Sequence, residues 1–135
     1  MNTSRFLAAA GTTLSLWMAV VPPTVAATGP QQQLERWRAE TSQPFSAARG
    51  RALFNSKAGS DWSCATCHTS DPRRTGRHAT TSRPIEPLAP AANPQRFTDA
   101  AKVEKWFRRN CRDVLGRECT TTEKGDVLTW LLELR

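Results

Sequence analysis

Cys64-Ala65-Thr66-Cys67-His68 is the one stretch of this chain whose residue types and spacing announce a definite chemistry. Two thiols three positions apart, followed at once by an imidazole, form the attachment sequence of a c-type haem. The thiols of Cys64 and Cys67 add across the porphyrin vinyl groups, and His68 is placed to bind the iron from one side. Three rivals fit less well. A structural zinc site needs a second close ligand pair, whereas Cys111 and Cys119 are widely spaced and far along the chain. A thioredoxin-type redox pair needs a strand–helix–strand setting, and no strand pattern is present. A disulfide between Cys64 and Cys67 would close a small strained ring.

The opposite face of the iron is the open question. Electron-transferring haem proteins usually add Met or His there. The chain has only two Met, Met1 and Met18, and both fall in a segment expected to be removed. His78 is the other His, in a loop flanked by arginines, and reads either as a ligand or as an exposed loop residue. Lys102 and Lys105 would have to lose a proton first. Asn110 shares a helical face with Val103, Trp106 and Phe107, at i, i+3, i+4 and i+7. A buried amide there needs a partner. Its carbonyl oxygen can reach iron, or it can end the helix and bind nearby backbone.

Length and charge bound the rest. The 135 residues hold at most one domain. Arg5, the apolar run Phe6 to Val21 and the small residues Val25-Ala26-Ala27 read as a secretory signal over 1–27, cut after Ala27 or Ala26. A retained anchor is the rival, but Pro22-Pro23 interrupts a run that is already short for a span. No other segment is suited to cross a bilayer. The remaining chain of about 108 residues is too small for a large core, and a covalent macrocycle would fill much of it. Export leads to an oxidising compartment, where Cys111 and Cys119, the thiols left over from the haem, are expected to pair. The net charge is +7, with no nucleic-acid motif. It suits steering toward an acidic electron-transfer partner, or simply solubility.

The elements that must position these groups follow from pattern. Residues 28–45 read as a polar lead-in with a short helix around Leu34 to Glu40, and 46–135 as the haem domain. Ser46 caps a helix in which Gly50, beside Leu53 and Phe54, permits a close helix crossing. Thr69 to Pro94 carries too many prolines for any long element. Thr98 caps a second helix, with Asp99 in its first turn. Thr120 and Glu123 have capping-box spacing ahead of a last helix over Thr121 to Leu134. Gly125 inside that helix implies close approach of another backbone. The expected fold class is all-α, with N- and C-terminal helices crossing.

With these residues laid out, the chain resembles the sphaeroides haem protein (SHP) family, small high-spin oxygen-binding cytochromes c of class I fold. The resemblance runs from about Ser46 to the C-terminus. It rests on Leu53-Phe54, Cys64 to His68, Ile85-Glu86-Pro87-Leu88-Ala89-Pro90, Arg96-Phe97-Thr98-Asp99, Val103-Glu104-Lys105-Trp106, and Arg109-Asn110-Cys111 through Gly116-Arg117-Glu118-Cys119. It implies one haem c held by Cys64 and Cys67, His68 as proximal ligand, Asn110 as distal ligand in the oxidised state, and a Cys111–Cys119 disulfide. It implies that Asn110 leaves on reduction and admits diatomic ligands. It implies a dihaem cytochrome c and a membrane cytochrome b as electron donors, and the periplasm of a Gram-negative bacterium as location. His78 and Pro84 depart from the family pattern.

The chemistry agrees with the resemblance. A neutral amide oxygen is a weak, hard donor, better suited to ferric than to ferrous iron. The disulfide either staples the loop that aims Asn110 or acts as a redox switch on it. Two other functions stand beside this one: a six-coordinate carrier using His68 and His78, and an enzyme acting on nitric oxide, oxygen or peroxide. Catalysis ranks last, because Tyr is absent and His78 is the only spare imidazole.

Overall fold

The computed structural model describes residues 29–135, so the expected signal segment lies outside the described residues. The chain folds as five helices, α1 (Pro30–Ala39), α2 (Ala47–Asn55), α3 (Cys64–His68), α4 (Ala100–Leu115) and α5 (Thr121–Glu133), with two short strands, β1 (Gly76–Arg77) and β2 (Pro84–Ile85), between α3 and α4. The strands pair antiparallel, Gly76 opposite Ile85 and Arg77 opposite Pro84. No strand was expected. A ladder this short has no room for hydrophobic alternation, so it leaves no trace in the sequence pattern.

The helix starts are written in local chemistry. The Ser46 hydroxyl accepts from the Arg49 amide at 3.3 Å. At α5, Thr120 accepts from the Glu123 amide at 3.2 Å and the Glu123 carboxylate accepts from the Thr120 amide at 2.8 Å, which is the expected reciprocal cap. At α4 the cap is Asp99 rather than Thr98. Asp99 Oδ1 accepts from the Lys102 amide at 3.0 Å, while the Thr98 hydroxyl donates back to the Gln95 carbonyl at 2.9 Å.

The crossing of α2 and α5 is the centre of the molecule, as expected for the N- and C-terminal helices. A Cβ on Gly50 would lie 2.0 Å from the Asp126 carbonyl oxygen, so the two backbones touch there. Phe54 packs on Trp130 with ring centroids 5.0 Å apart, in a core with Val127 and Leu131. Asp126, with a side chain only 4% exposed, ties the crossing electrostatically. It accepts from the Ser46 amide at 2.6 Å and from Arg49 Nε and Nη2 at 2.7 and 2.9 Å. Gly125 also allows a close approach, but to the Phe45 ring rather than to another backbone.

The lead-in does contain a helix, at Pro30–Ala39, and it is packed rather than peripheral. Leu34 and Trp37 are buried with Val103 and Leu128 in a second core cluster. Trp37 meets Phe107 edge-on at 5.5 Å. Glu104 of α4 accepts from Trp37 Nε1 at 2.7 Å and from Lys124 Nζ at 2.8 Å. Burial pushes the Glu104 carboxyl upward, but the hydrogen bonds from Lys124 and Trp37 outweigh it, leaving the group below the usual carboxylate range. These side chains join α1, α4 and α5. No helix among the described residues is long and apolar enough to cross a membrane.

Candidate haem site

The attachment sequence forms its own single-turn helix. The Thr66 hydroxyl accepts from the Ser63 amide at 2.9 Å, and the Ser63 side chain accepts in return from the Thr66 amide. Thr66 is thus a variable position of the motif that starts its helix. Thr69, at φ 63°, ends it, and its hydroxyl donates to the Asp71 carbonyl at 2.6 Å. The helix lies against α2, with Phe54 and the His68 ring 6.3 Å apart. Below it, a Cβ on Gly76 would lie 2.0 Å from the Cys67 carbonyl oxygen.

The donor set fits a covalent haem. Cys64 and Cys67 take no part in the disulfide and lie one helical turn apart. Burial pushes the Cys64 thiol up to about 11, with the charge of Cys67 adding to it. Burial lowers His68 to about 4, and the nearby charge of Arg96 lowers it further. The imidazole is therefore neutral at physiological pH, the form that binds iron. Arg96 is held in place by the Pro87 and Glu86 carbonyls, accepting from its Nε and Nη2 at 2.9 and 2.7 Å. The neighbouring segment is fixed by the Leu88 and Ala89 amides, which donate to the Pro72 carbonyl at 2.8 and 3.0 Å. Leu53, Cys64, Ala65, Leu88, Phe97 and Phe107 are half-buried against the core, an apolar surface suited to a flat macrocycle.

Asn110 does not end its helix. Five further residues follow before Gly116 closes α4 in the left-handed conformation, φ 70°. The half-buried Asn110 carboxamide has no hydrogen-bond partner in the protein among the described residues. The reading in which it caps the helix and binds backbone therefore has no support. Cys111 and Cys119 are bonded, as expected. The bridge fixes the last turns of α4 to the entry of α5, and the Ser60 hydroxyl donating to the Val114 carbonyl at 3.0 Å adds a second tie.

The other candidates are exposed. His78 is exposed on the β1–β2 hairpin, and its Nδ1 accepts from the Thr81 amide at 3.2 Å. Lys102 is exposed and paired with Asp99 at 3.6 Å, and Lys105 is exposed over the Trp106 ring. Trp106, expected to face inward with Asn110, is 48% exposed, with Lys105 and Arg109 each 5.8 Å from its ring centroid. The Glu104 and Trp37 contact escaped the sequence reading altogether. Leu34 and Trp37, three apart in the lead-in, were its only trace.

If the disulfide is a staple, its loss should act on stability and spare attachment. A Cys111→Ser, Cys119→Ser double variant is expected to lose about 2–3 kcal/mol for a loop of this size. Denaturant unfolding of the haem-loaded protein measures it. An unchanged midpoint, with a ferric spectrum that follows the thiol state, would favour the switch.

Comparison with known proteins agrees with the helical fold. A family described as a domain of unknown function, DUF1924, matches residues 40–131. Cytochrome c-type protein SHP of Cereibacter sphaeroides is 46% identical over 114 residues, 82% of this chain and 88% of that protein. The structure of oxidized SHP, an oxygen binding cytochrome c, superposes with a TM-score of 0.72 at 49% identity, covering 77% of this chain and 96% of that one. The solution structure of cytochrome c'' from Methylophilus methylotrophus, described in terms of haem-ligand detachment, gives 0.65 at 34% identity, over 76% of this chain and 91% of that one. Shared length, shared helices and shared identity place the chain in the sphaeroides haem protein family, as a small all-α c-type cytochrome with one covalent haem.

Proposed function

We propose that this chain is an exported monohaem cytochrome whose Asn110 is a displaceable ligand, so that the oxidised site is closed weakly and the reduced site binds oxygen or another diatomic. The observation that carries the reading is the Asn110 carboxamide. It is half-buried, has no protein partner among the described residues, and lies beside a covalently anchored Cys111. When bound, the haem supplies an iron that takes up one electron and, once ferrous, accepts small neutral ligands. Cys64 and Cys67 hold it covalently. His68 offers a neutral imidazole from α3, packed by Phe54 so that the ring keeps its orientation. Asn110 offers only a neutral amide oxygen, which is released more readily than a thioether or imidazole when the metal becomes softer on reduction. The relatives described as oxygen binding and as detaching a haem ligand support the same reading. The donor is proposed to be a dihaem cytochrome c fed by a membrane cytochrome b, in the periplasm. The exposed, hydrogen-bonded His78 gives no support to a six-coordinate carrier.

Absorbance of the purified protein tests this. The ferric form should be high-spin, and the dithionite-reduced form should take up carbon monoxide on mixing. A low-spin spectrum indifferent to carbon monoxide would overturn the reading in favour of a carrier with two firm ligands.

A further inference from the structure

The haem site uses none of the cations on the β1–β2 hairpin. Residues 73–83 carry Arg73, Arg74, Arg77 and Arg83 with no acidic residue among them, and all four are exposed, as is His78. Arg73 is neutralised by Asp71, its Nε donating at 2.7 Å and its Nη2 at 3.0 Å. Arg74 and Arg83 have no ion pair among the described residues. The hairpin is well defined. Arg77 Nη1 donates to the Ser82 carbonyl at 2.7 Å, the His78 amide to Arg83 at 2.9 Å, and the Ser82 amide to His78 at 2.9 Å. It is also fastened to the attachment helix. Gly76 presses on the Cys67 carbonyl, and the Ala79 amide donates to Cys67 Sγ at 3.3 Å.

We propose that this arginine-rich hairpin is the docking surface for an acidic electron-transfer protein. The inference rests on the function proposed above and adds where the partner binds. A cationic patch raises the encounter rate with an anionic partner and orients it. A patch bonded to Cys67 Sγ brings that partner to the sulfur joined to the macrocycle, and electron transfer weakens steeply with distance. A second cationic cluster, the exposed Lys105, Arg108 and Arg109, exists on α4, but there Lys105 and Arg109 lie over Trp106. In the transfer the donor gives up one electron and the ferric iron takes it, and the only bond that then changes is the weak one to Asn110 proposed above.

The test uses the haem-loaded protein and reduced flavodoxin, an acidic one-electron donor, with the neutral semiquinone of lumiflavin as a small control reductant. The second-order rate with flavodoxin should fall between about 10 mM and about 300 mM salt as screening shortens the electrostatic reach. An Arg74→Gln, Arg83→Gln double variant should lose roughly tenfold at low salt and show a flatter salt dependence, while its lumiflavin rate matches the parent. Lys105→Gln with Arg108→Gln should keep most of the flavodoxin rate. The docking surface is overturned if the hairpin variant keeps the parent rate, or if the α4 variant takes the loss instead. It is equally overturned if the hairpin drives binding to phosphatidylglycerol vesicles without affecting flavodoxin. Failure of lumiflavin to reduce the parent would instead remove the electron-accepting function itself.

Discussion

The Asn110→Ala protein should keep its covalent haem while its ferric spectrum changes. Attachment is expected to depend on Cys64 and Cys67 of α3, whose helix is started by Ser63 and Thr66 and packed by Phe54. Asn110 lies on a different helix, α4. Loss of the amide should open the ferric site to water or added anions, and carbon monoxide uptake by the reduced form should be preserved. Asn110→Met should do the reverse. A thioether is softer and holds ferrous iron. If it favours the closed state by about 3 kcal/mol, the fraction open to carbon monoxide falls roughly a hundredfold. Stopped-flow mixing with carbon monoxide measures both. A ferric spectrum indifferent to both substitutions would mean that Asn110 is not a ligand.

The second large effect is expected at Gly50. Alanine there favours the helix intrinsically by about 1 kcal/mol. Its Cβ, however, would lie 2.0 Å from the Asp126 carbonyl oxygen and 2.7 Å from the Val127 amide nitrogen. Both are backbone atoms of the central helix, so neither can swing aside. Accommodation requires α2 and α5 to part. That would also lengthen the bonds from Ser46 and Arg49 to Asp126 and loosen Phe54 against Trp130. The net loss for Gly50→Ala is about 3 kcal/mol, a fall in melting temperature of roughly 12–24 °C for a domain of this size. Thermal unfolding followed by far-UV circular dichroism checks it. A melting point equal to the parent's would show that the crossing is looser than the structure indicates.

Much of this molecule was legible because its chemistry is local. Cys64 to His68 is contiguous, Ser46 and Thr120 cap within three residues, and Gly50 beside Phe54 signals a crossing by size alone. Cys111 and Cys119 paired by elimination. What stayed hidden depends on residues far apart in sequence. Asp126 reads as one more charge on α5 until Ser46 and Arg49 are brought to it. Glu104 reads as part of a polar face until Trp37 and Lys124 reach it. Periodicity put Trp106 on the inward face with Asn110. It fixes a direction around the helix axis but not which neighbour lies in that direction, and the ring is half-exposed between two cations. Thr98 and Asp99 are both good caps, and in the fold Asp99 takes the role while the Thr98 hydroxyl turns back to the Gln95 carbonyl.

Asn110 is bonded through one peptide to a cysteine that cannot travel, because Cys111 is tied to Cys119 and Val114 is tied to Ser60. If Asn110 is the displaceable ligand proposed above, its withdrawal is expected as a twist about its own side-chain bonds rather than a swing of α4. Side-chain rotations are completed faster than helix displacements, which take microseconds or longer. On that reading, gating is expected to keep pace with the arrival of the electron, and the slow step belongs to the collision that delivers it.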